Sequence, residues 1–575
     1  MAHESIVTGL PPLAGNATER TPKLMTRDEI EALIAEDKHI TIYHNQVIKM
    51  DPWMPYHPGG DKAMLHMVGK DASDEIDAFH CFETRQHVLR YRIGRVEGTW
   101  ENLLPPIQGG VYRTREEIER INSENDTNKD QDSSAPSTRV PSPVFDEEIS
   151  EGVRQRKADT KKDRARASSV SSTSSVEEVE LDGMSYLDTI TREHIKIDLD
   201  KYPPPDKETQ AKVAMKYREL HQKVYDNGLY NCNYKAYAIE CVRYTALAVG
   251  SAYCLRYEWY ALSAFLLGFL WHQLSFTVHD AGHMGITHNY LIDSCIGALI
   301  ADFMGGLSIG WWKRNHNVHH VVTNAPEHDP DIEHMPLFAV SHRLLGSLRS
   351  TYYERVMTYD AVAKVLLRIQ AWTYYPLLAL ARFNLYRLSW DFLLMARGPK
   401  KGPALIIWWL EVIGQVFFWT WFGYGLVYNM LPDNWTRFYF VMISNITASP
   451  LHVQIVLSHF AMSTVELGPQ ESFPQKQLRT TMDIDCPEWL DFFHGGLQFQ
   501  VIHHLFPRVP RHNLRATQKL VQGFCDEVNI PYVLYGFAGG NQQVIGRLAE
   551  VSRQAAILAK CQKSIQNGDL SGHHH

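Results

Sequence analysis

Three groups of histidines stand at helical spacing. His279 and His283 frame the motif His-Asp-Ala-Gly-His, His316 is followed by His319 and His320, and Gln500 is followed by His503 and His504. Residues at i, i+3 and i+4 share one helix face, so each group can turn its side chains toward a metal ion. Neutral imidazole suits iron, copper or zinc. The eight cysteines are scattered with no Cys-x-x-Cys pair, which argues against iron–sulfur clusters and structural zinc. Seven histidines and a glutamine are too many ligands for one ion; two irons, a pair able to activate dioxygen, are the economical reading. A separate motif, Trp53-Met-Pro-Tyr-His57-Pro-Gly-Gly60, places His57 before a tight turn, with His80 further on. Two imidazoles from separate elements are what a haem bound on both faces requires. His87 is the alternative second ligand, and His66 is too close in sequence.

Each group needs an element to hold it. The chain has 575 residues, 45% hydrophobic and 21% charged, with a net charge of −8 that argues against nucleic-acid binding. The average conceals segregation. Residues 1–23 are polar, with no apolar run of the kind a secretory signal needs. Residues 24–108 form a compact acidic module, in which Thr26 is a helix N-cap and residues 40–50 alternate like a strand pair around Asn45. Residues 109–185 are rich in Ser and charge and are expected to be a disordered linker, with Ser168 and Ser169 after a basic run. A helical pre-membrane segment follows at 186–235.

Apolar runs then predict four spanning helices at 236–255, 260–278, 405–428 and 438–462 within a membrane region 236–462. The stretches 290–312 and 371–395 are interrupted by charge and proline and are expected to be interfacial or re-entrant. Residues 463–575 complete the chain on the cytosolic side. Lys and Arg collect before the first span, between the second and third, and after the fourth, which puts both termini in the cytosol. All three histidine groups then lie on one face of the membrane. The expected fold class is an α-helical membrane domain with about four spans and interfacial helices, preceded by a small α+β module.

The histidine motifs resemble those of membrane fatty-acyl and sphingolipid desaturases, whose front-end branch carries Gln-x2-His-His. The resemblance covers residues 205–540 and includes Trp311, Asn324 to Ile332, and His494-Gly-Gly-Leu-Gln-Phe-Gln. Ile502 departs from it, since a glutamate often precedes the paired histidines. The early module resembles cytochrome b5, which implies haem b on His57 and His80. A di-iron site on His279, His283, His316, His319, His320, Gln500, His503 and His504 is what the desaturase resemblance implies. His459 and His494 are further candidate ligands, and His452 lies deeper. His272, His288 and His328 are expected in structural roles, and Asp280, Asn317 and Asp329 are expected to orient ligand imidazoles.

The activity implied is O2-dependent desaturation in the endoplasmic reticulum membrane, with electrons drawn from NADH through cytochrome b5 reductase and the fused module. The insert between the modules and the wording around the motifs look most like fungal delta-8 sphingolipid desaturases. The alternatives are a front-end fatty-acyl desaturase of delta-5 or delta-6 type, a b5-fused lipid hydroxylase, and a non-catalytic haem membrane protein.

Overall fold

The computed structural model describes residues 22–103, 175–399 and 401–566. Most of the expected linker, including Ser168 and Ser169, and the expected flexible N-terminus up to residue 21 lie outside the described residues. The first module is α+β. Its sheet has the order β1-β4-β3-β2, from β1 (Leu24–Met25), β2 (Ile40–Tyr43), β3 (Gln46–Lys49) and β4 (Arg92–Val96). β1 and β4 run parallel, while β2 pairs antiparallel with β3 and β3 with β4. The β2–β3 turn puts His44 and Asn45 at positive φ, 46° and 60°, the geometry of a tight two-residue hairpin. Helix α1 (Arg27–Ala35) begins in a reciprocal cap between Thr26 and Glu29. Three short helices, α2 (Asp61–Leu65), α3 (Ser73–Phe79) and α4 (Phe82–Val88), lie between β3 and β4 in the chain.

Helix α5 (Ser175–Lys201) begins ten residues earlier than the expected end of the linker. Helix α6 (Lys207–Asp226) precedes the membrane bundle, capped by the Asp206 side chain on the Thr209 N–H. The bundle comprises α7 (Tyr234–Arg256), α8 (Tyr260–Gly282), α9 (Tyr290–Ala298, continued by π-helical turns to Met304) and α10 (Ile309–Val321). Beyond these come α11 (Ala361–Leu366), α12 (Gln370–Ala379), α13 (Ala381–Leu394), α14 (Pro403–Phe418, continued by π-helical turns to Met430), α15 (Asn434–Ala448) and α16 (Pro450–Leu457).

Among the described residues, three helical stretches are long and apolar enough to span a membrane: 260–282, 403–430 and 434–457. The fourth expected span, α7, is a helix of 23 residues packed against α8, but polar residues dilute it below that threshold. Its outer face carries exposed Ile239, Val242, Val249 and Tyr253. The expected re-entrant stretch is a sharp elbow, α9 and α10 meeting at a bend of 117°. The cap after the bundle is built from α17 (Phe473–Thr480), α18 (Asp491–His494), α19 (Gln500–Leu505), α20 (Leu514–Val528) and α21 (Phe537–Gln566), with a two-stranded parallel sheet of β5 (Asp483–Asp485) and β6 (Leu534–Gly536).

Glu240 and Asp280 look out of place in membrane helices. Both are buried, and Arg511 from the cap bonds to both carboxylates at once, while His512 adds a contact to Glu240 at 3.0 Å. Paired this way, the charges tie α7 and α8 to the cap instead of being left unsolvated.

Candidate metal and haem centres

In the first module the His57 and His80 rings face one another with centroids 6.1 Å apart. Two metal–nitrogen bonds of about 2 Å each plus two ring radii account for such a gap. The Nδ1–H of His57 donates to the Gly60 carbonyl at 2.7 Å and that of His80 to the Ile76 carbonyl at 3.0 Å. Both Nε2 atoms are thereby left for a ligand. Burial lowers the His80 pKa to about 4, with His57 adding to the effect, so the ring stays neutral. His87, the alternative candidate, packs against Trp53 and Tyr91. His66 lies against His328 instead.

The turn after His57 has no room for side chains. A Cβ on Gly59 would lie 2.6 Å from Asn317 Nδ2 and 2.9 Å from His57 Cε1, and Gly60 sits at φ +85° with Arg314 Cγ 2.9 Å from where its Cβ would be. Asn317 and Arg314 belong to α10, so the haem loop is seated directly on the helix of the second histidine group. Ion pairs fix the seat: Arg314 to Asp61 at 2.8 Å, Arg218 to Asp74 at 2.6 Å, and Lys62 to Glu354. Val318, Val321 and Val322 on the far side of α10 from its histidines belong to the same apolar core as Met64, Met67 and Val68 of the module.

The three histidine groups converge. The candidate ligand atoms of His279, His283, His316 and His503 all lie within 4.8 Å of one another, and so do those of His319, His459 and His504. His320 stands between the two sets, its ring 4.7 Å from His503 and 4.1 Å from His504. Nε2 of His279, His283, His503 and His504 and Nδ1 of His320 and His459 are buried without a hydrogen-bond partner. Orphaned nitrogens at this density are costly unless a metal takes them. Burial and the neighbouring imidazoles push the pKa of His459, His503 and His504 well below the usual value, leaving each ring neutral with a free lone pair. The donor set therefore fits two metal ions, one in each set.

The surroundings explain how the rings are aimed. Trp312 stacks on His316 at 4.4 Å, and the bare backbone of Gly282 lets that indole reach α8. Asp329 accepts from His319 Nδ1 at 2.8 Å, as expected. Two other expectations are corrected. Asp280 bonds Tyr237 and Arg511 instead of a ligand imidazole, and Asn317 points at the Gly59 carbonyl, 3.5 Å away. Gln477 holds His504 Nδ1 at 2.9 Å and also donates to the His320 carbonyl. Asp483 accepts the Val501 N–H at 2.8 Å, anchoring the start of α19; burial raises its pKa to about 7. Gln477 and Asp483 have no signature in the sequence, because their partners are remote.

His494 belongs to neither set, contrary to the expectation that it was a possible ligand. Gly495 and Gly496, at φ +57° and +94°, turn the chain at the end of α18, and His494 contacts Cys486 Sγ at 3.3 Å and Gln454 at 3.3 Å. Gln454 also meets His272 at 3.2 Å. His452 is buried outside both sets, His288 bridges the Met284 and Tyr230 carbonyls, and His328 bonds Thr351. Gln500 is buried in the first turn of α19, one turn before His503 and His504. Ile502 is fully buried among Tyr217, Leu505 and Phe506, on an apolar side of α19 where a carboxylate would lack a partner.

An apolar cavity of about 260 Å³ lies between α8, the end of α9 and α14, lined by Leu270, Trp271, Leu274, Phe303, Phe417 and Trp421. Leu274 is five residues before His279 on the same helix.

The sequence matches the Fatty acid desaturase family over residues 258–536 and the Cytochrome b5-like Heme/Steroid binding domain family over residues 26–97. It is 53% identical to a Delta 8-(E)-sphingolipid desaturase of Emericella nidulans over 97% of this chain and 100% of the relative. Identity to a Delta 8-(E)-sphingolipid desaturase of Candida albicans is 45%, over 96% and 99%. An Acyl-lipid (9-3)-desaturase of Borago officinalis is 35% identical over 61% of this chain and 78% of its own length. With its haem module, its converging histidines and this end-to-end similarity, the chain belongs to the cytochrome b5-fused membrane lipid desaturases, an oxidoreductase family that includes the Delta 8-(E)-sphingolipid desaturases.

Proposed function

We propose that this protein desaturates the long-chain base of sphingolipids at carbon 8, giving the E double bond, in the endoplasmic reticulum membrane. What carries the substrate assignment is the near full-length similarity to relatives of that name, at 45–53% identity. Two iron ions, held by His279, His283, His316 and His503 and by His319, His459 and His504, would supply dioxygen activation for removing two vicinal hydrogens. His320 serves at the boundary of the two sets, and Gln500, one turn before His503 and His504, is the non-histidine candidate ligand. Haem b would be held by His57 and His80.

The chain's own groups do the positioning. Asp329 and Gln477 fix ring orientation, and Trp312 shields one side of the site from water. The cavity beside Leu274 offers the alkyl chain an apolar berth. The seated haem module brings Phe79 against His320, so the donor is delivered at high effective concentration. An NADH-dependent cytochrome b5 reductase is the fitting external electron source. Four antiparallel spans, counting α7 at about 35 Å from its 23 residues, leave both termini and the three histidine groups on the cytosolic side.

The deciding experiment is lipid analysis of a fungal host deleted for this gene and then complemented. Loss and return of the 8-unsaturated long-chain base is expected; a change confined to acyl chains would instead favour the acyl-lipid reading suggested by the Borago officinalis relative.

A further inference from the structure

Two buried cations of the desaturase part lie beside the haem module, one near each haem histidine. Lys313 of α10 lines a small cavity together with Pro58 and Gly60 of the haem loop. It is 6% exposed, its Nζ has no hydrogen-bond partner, and the ammonium rests 5.1 Å from the centre of the Tyr290 ring. The carboxylates in its neighbourhood are engaged elsewhere: Glu411 takes the Ser308 hydroxyl and the Gly310 N–H, and Asp293 takes the Thr287 hydroxyl and N–H. Arg508, four residues after His504, is 9% exposed. Its guanidinium meets His288 Nδ1 at 3.2 Å and the Tyr230 ring at 5.8 Å, and Nε is unpartnered. Phe506 and Val509, close to Arg508 in the chain, share an apolar core with Ala78 and Phe79, which lead into His80.

Both charges reach the haem histidines. Burial lowers the pKa of each ring; Lys313 adds to the effect at His57, and His57 and Arg508 add to it at His80, which comes to about 4. The acids that act the other way are already paired, Asp61 with Arg314 at 2.8 Å and Asp77 with His44 and Arg85. A buried cation without a counter-charge is costly unless negative charge nearby offsets it. Reduction of a haem iron from ferric to ferrous adds one electron. It needs no proton at His57 or His80, whose Nδ1–H groups are held by the Gly60 and Ile76 carbonyls. Each cation favours that added charge. At about 10 Å and an effective dielectric constant of about 20, one unit charge shifts a one-electron equilibrium roughly tenfold.

We propose that Lys313 and Arg508 tune the haem of the fused module, favouring its reduced form while the module is seated. The inference rests on the haem reading above. Because both cations belong to the other domain, the effect exists only in the docked arrangement. Linkage makes it reciprocal: the reduced module holds its seat more tightly than the oxidised one by the same factor. The external reductase therefore loads the module best where its electron can be used.

The test is a spectroelectrochemical titration of the Soret band in purified full-length holoenzyme in micelles. Lys313→Met and Arg508→Gln are each expected to lower the haem midpoint potential by about 59 mV, the value of a tenfold shift for one electron. Arg508→Lys keeps the charge and should stay near the wild type. The two cations stand on different elements, so one variant reports if the other fails to fold. An unchanged midpoint in either folded neutral variant would overturn the proposal. Arg508→Lys falling as far as Arg508→Gln would overturn it too, since the effect would then belong to packing and not to charge. Wild-type protein without a b-type haem spectrum would instead sink the haem reading on which the proposal rests.

Discussion

The ring of Phe79 meets that of His320 edge to face, with centroids 5.7 Å apart at an interplanar angle of 88°. Phe79 immediately precedes His80, so one backbone step separates a haem-facing imidazole from a side chain touching the metal-facing set. Phe79→Ala is expected to leave the haem spectrum intact but slow reoxidation of the reduced haem, in the presence of substrate and oxygen, by tenfold or more. Phe79→Tyr should restore it. Stopped-flow spectroscopy gives the rate, and a value within twofold of wild type for the alanine variant would rule the contact out.

The seat of the haem module rests on charge pairs that are partly exposed, worth about 1 kcal/mol each. Arg314→Asp should place two carboxylates together and lower NADH-driven turnover severalfold, and adding Asp61→Arg should recover most of it. Raising ionic strength should depress the wild type slightly and partly relieve the single variant, because salt screens an attraction in the first and a repulsion in the second. If the double variant gains nothing over the single, the pair does not fix the docking.

Iron content separates the two uncertain histidines. His459→Ala is expected to cost about one of the two irons and nearly all turnover, while His494→Ala should retain both, its partners being Cys486 and Gln454. His316→Ala should abolish turnover with the haem band unchanged. Elemental analysis alongside the Soret absorbance makes the comparison.

Asp329→Asn removes the acceptor that aims His319. Groups in this position typically contribute 10–100-fold in metal affinity, so the variant should bind iron correspondingly more weakly under chelator challenge. Equal retention against the wild type would show that packing alone orients the ring.

Asp77 supports the haem module from α3. Burial acts to raise its pKa, but hydrogen bonds from His44 at 2.8 Å and Tyr43 at 2.8 Å, with Arg85 nearby, overcome this and hold it at about 2. A depressed carboxyl stabilises the fold above its unfolded value near 4, and the contribution fades as pH falls from there toward 2. Asp77→Asn is expected to cost about 2 kcal/mol at neutral pH and to lower the thermal midpoint of Soret loss. The gap to wild type should shrink below pH 4.

Much of this arrangement was legible in local spacing. Histidines at i and i+4 must share a helix face, and His57-Pro-Gly-Gly must turn, so most of the candidate residues that converge in each place could be named from one dimension. What escaped depends on distant partners. Asp280 looked like a ligand's companion because it sits between two histidines, yet a helix turns it away, toward Arg511. His459 and His494 were equal candidates by sequence; two glycines with positive φ divert one, and the end of α16 delivers the other. The run 236–255 reads as a span, and it forms the helix α7, which falls short of the apolar spans because it carries polar residues such as Glu240. The Ser-rich run before residue 185 gave no sign that α5 would start at Ser175, since its apolar positions are sparse.

Helix α10 presents three imidazoles on one side and lends three valines to the haem module's interior on the other. A donor joined by a long chain is usually pictured as a visitor that comes and goes. Here, departure would strip Val318, Val321 and Val322 of their cover and loosen the rod on which the second histidine group is mounted. The module is therefore part of the scaffold as well as a carrier of electrons. A truncated protein supplied with free cytochrome b5 would lack more than a redox partner, and the two halves would have to be exchanged among relatives as a matched pair.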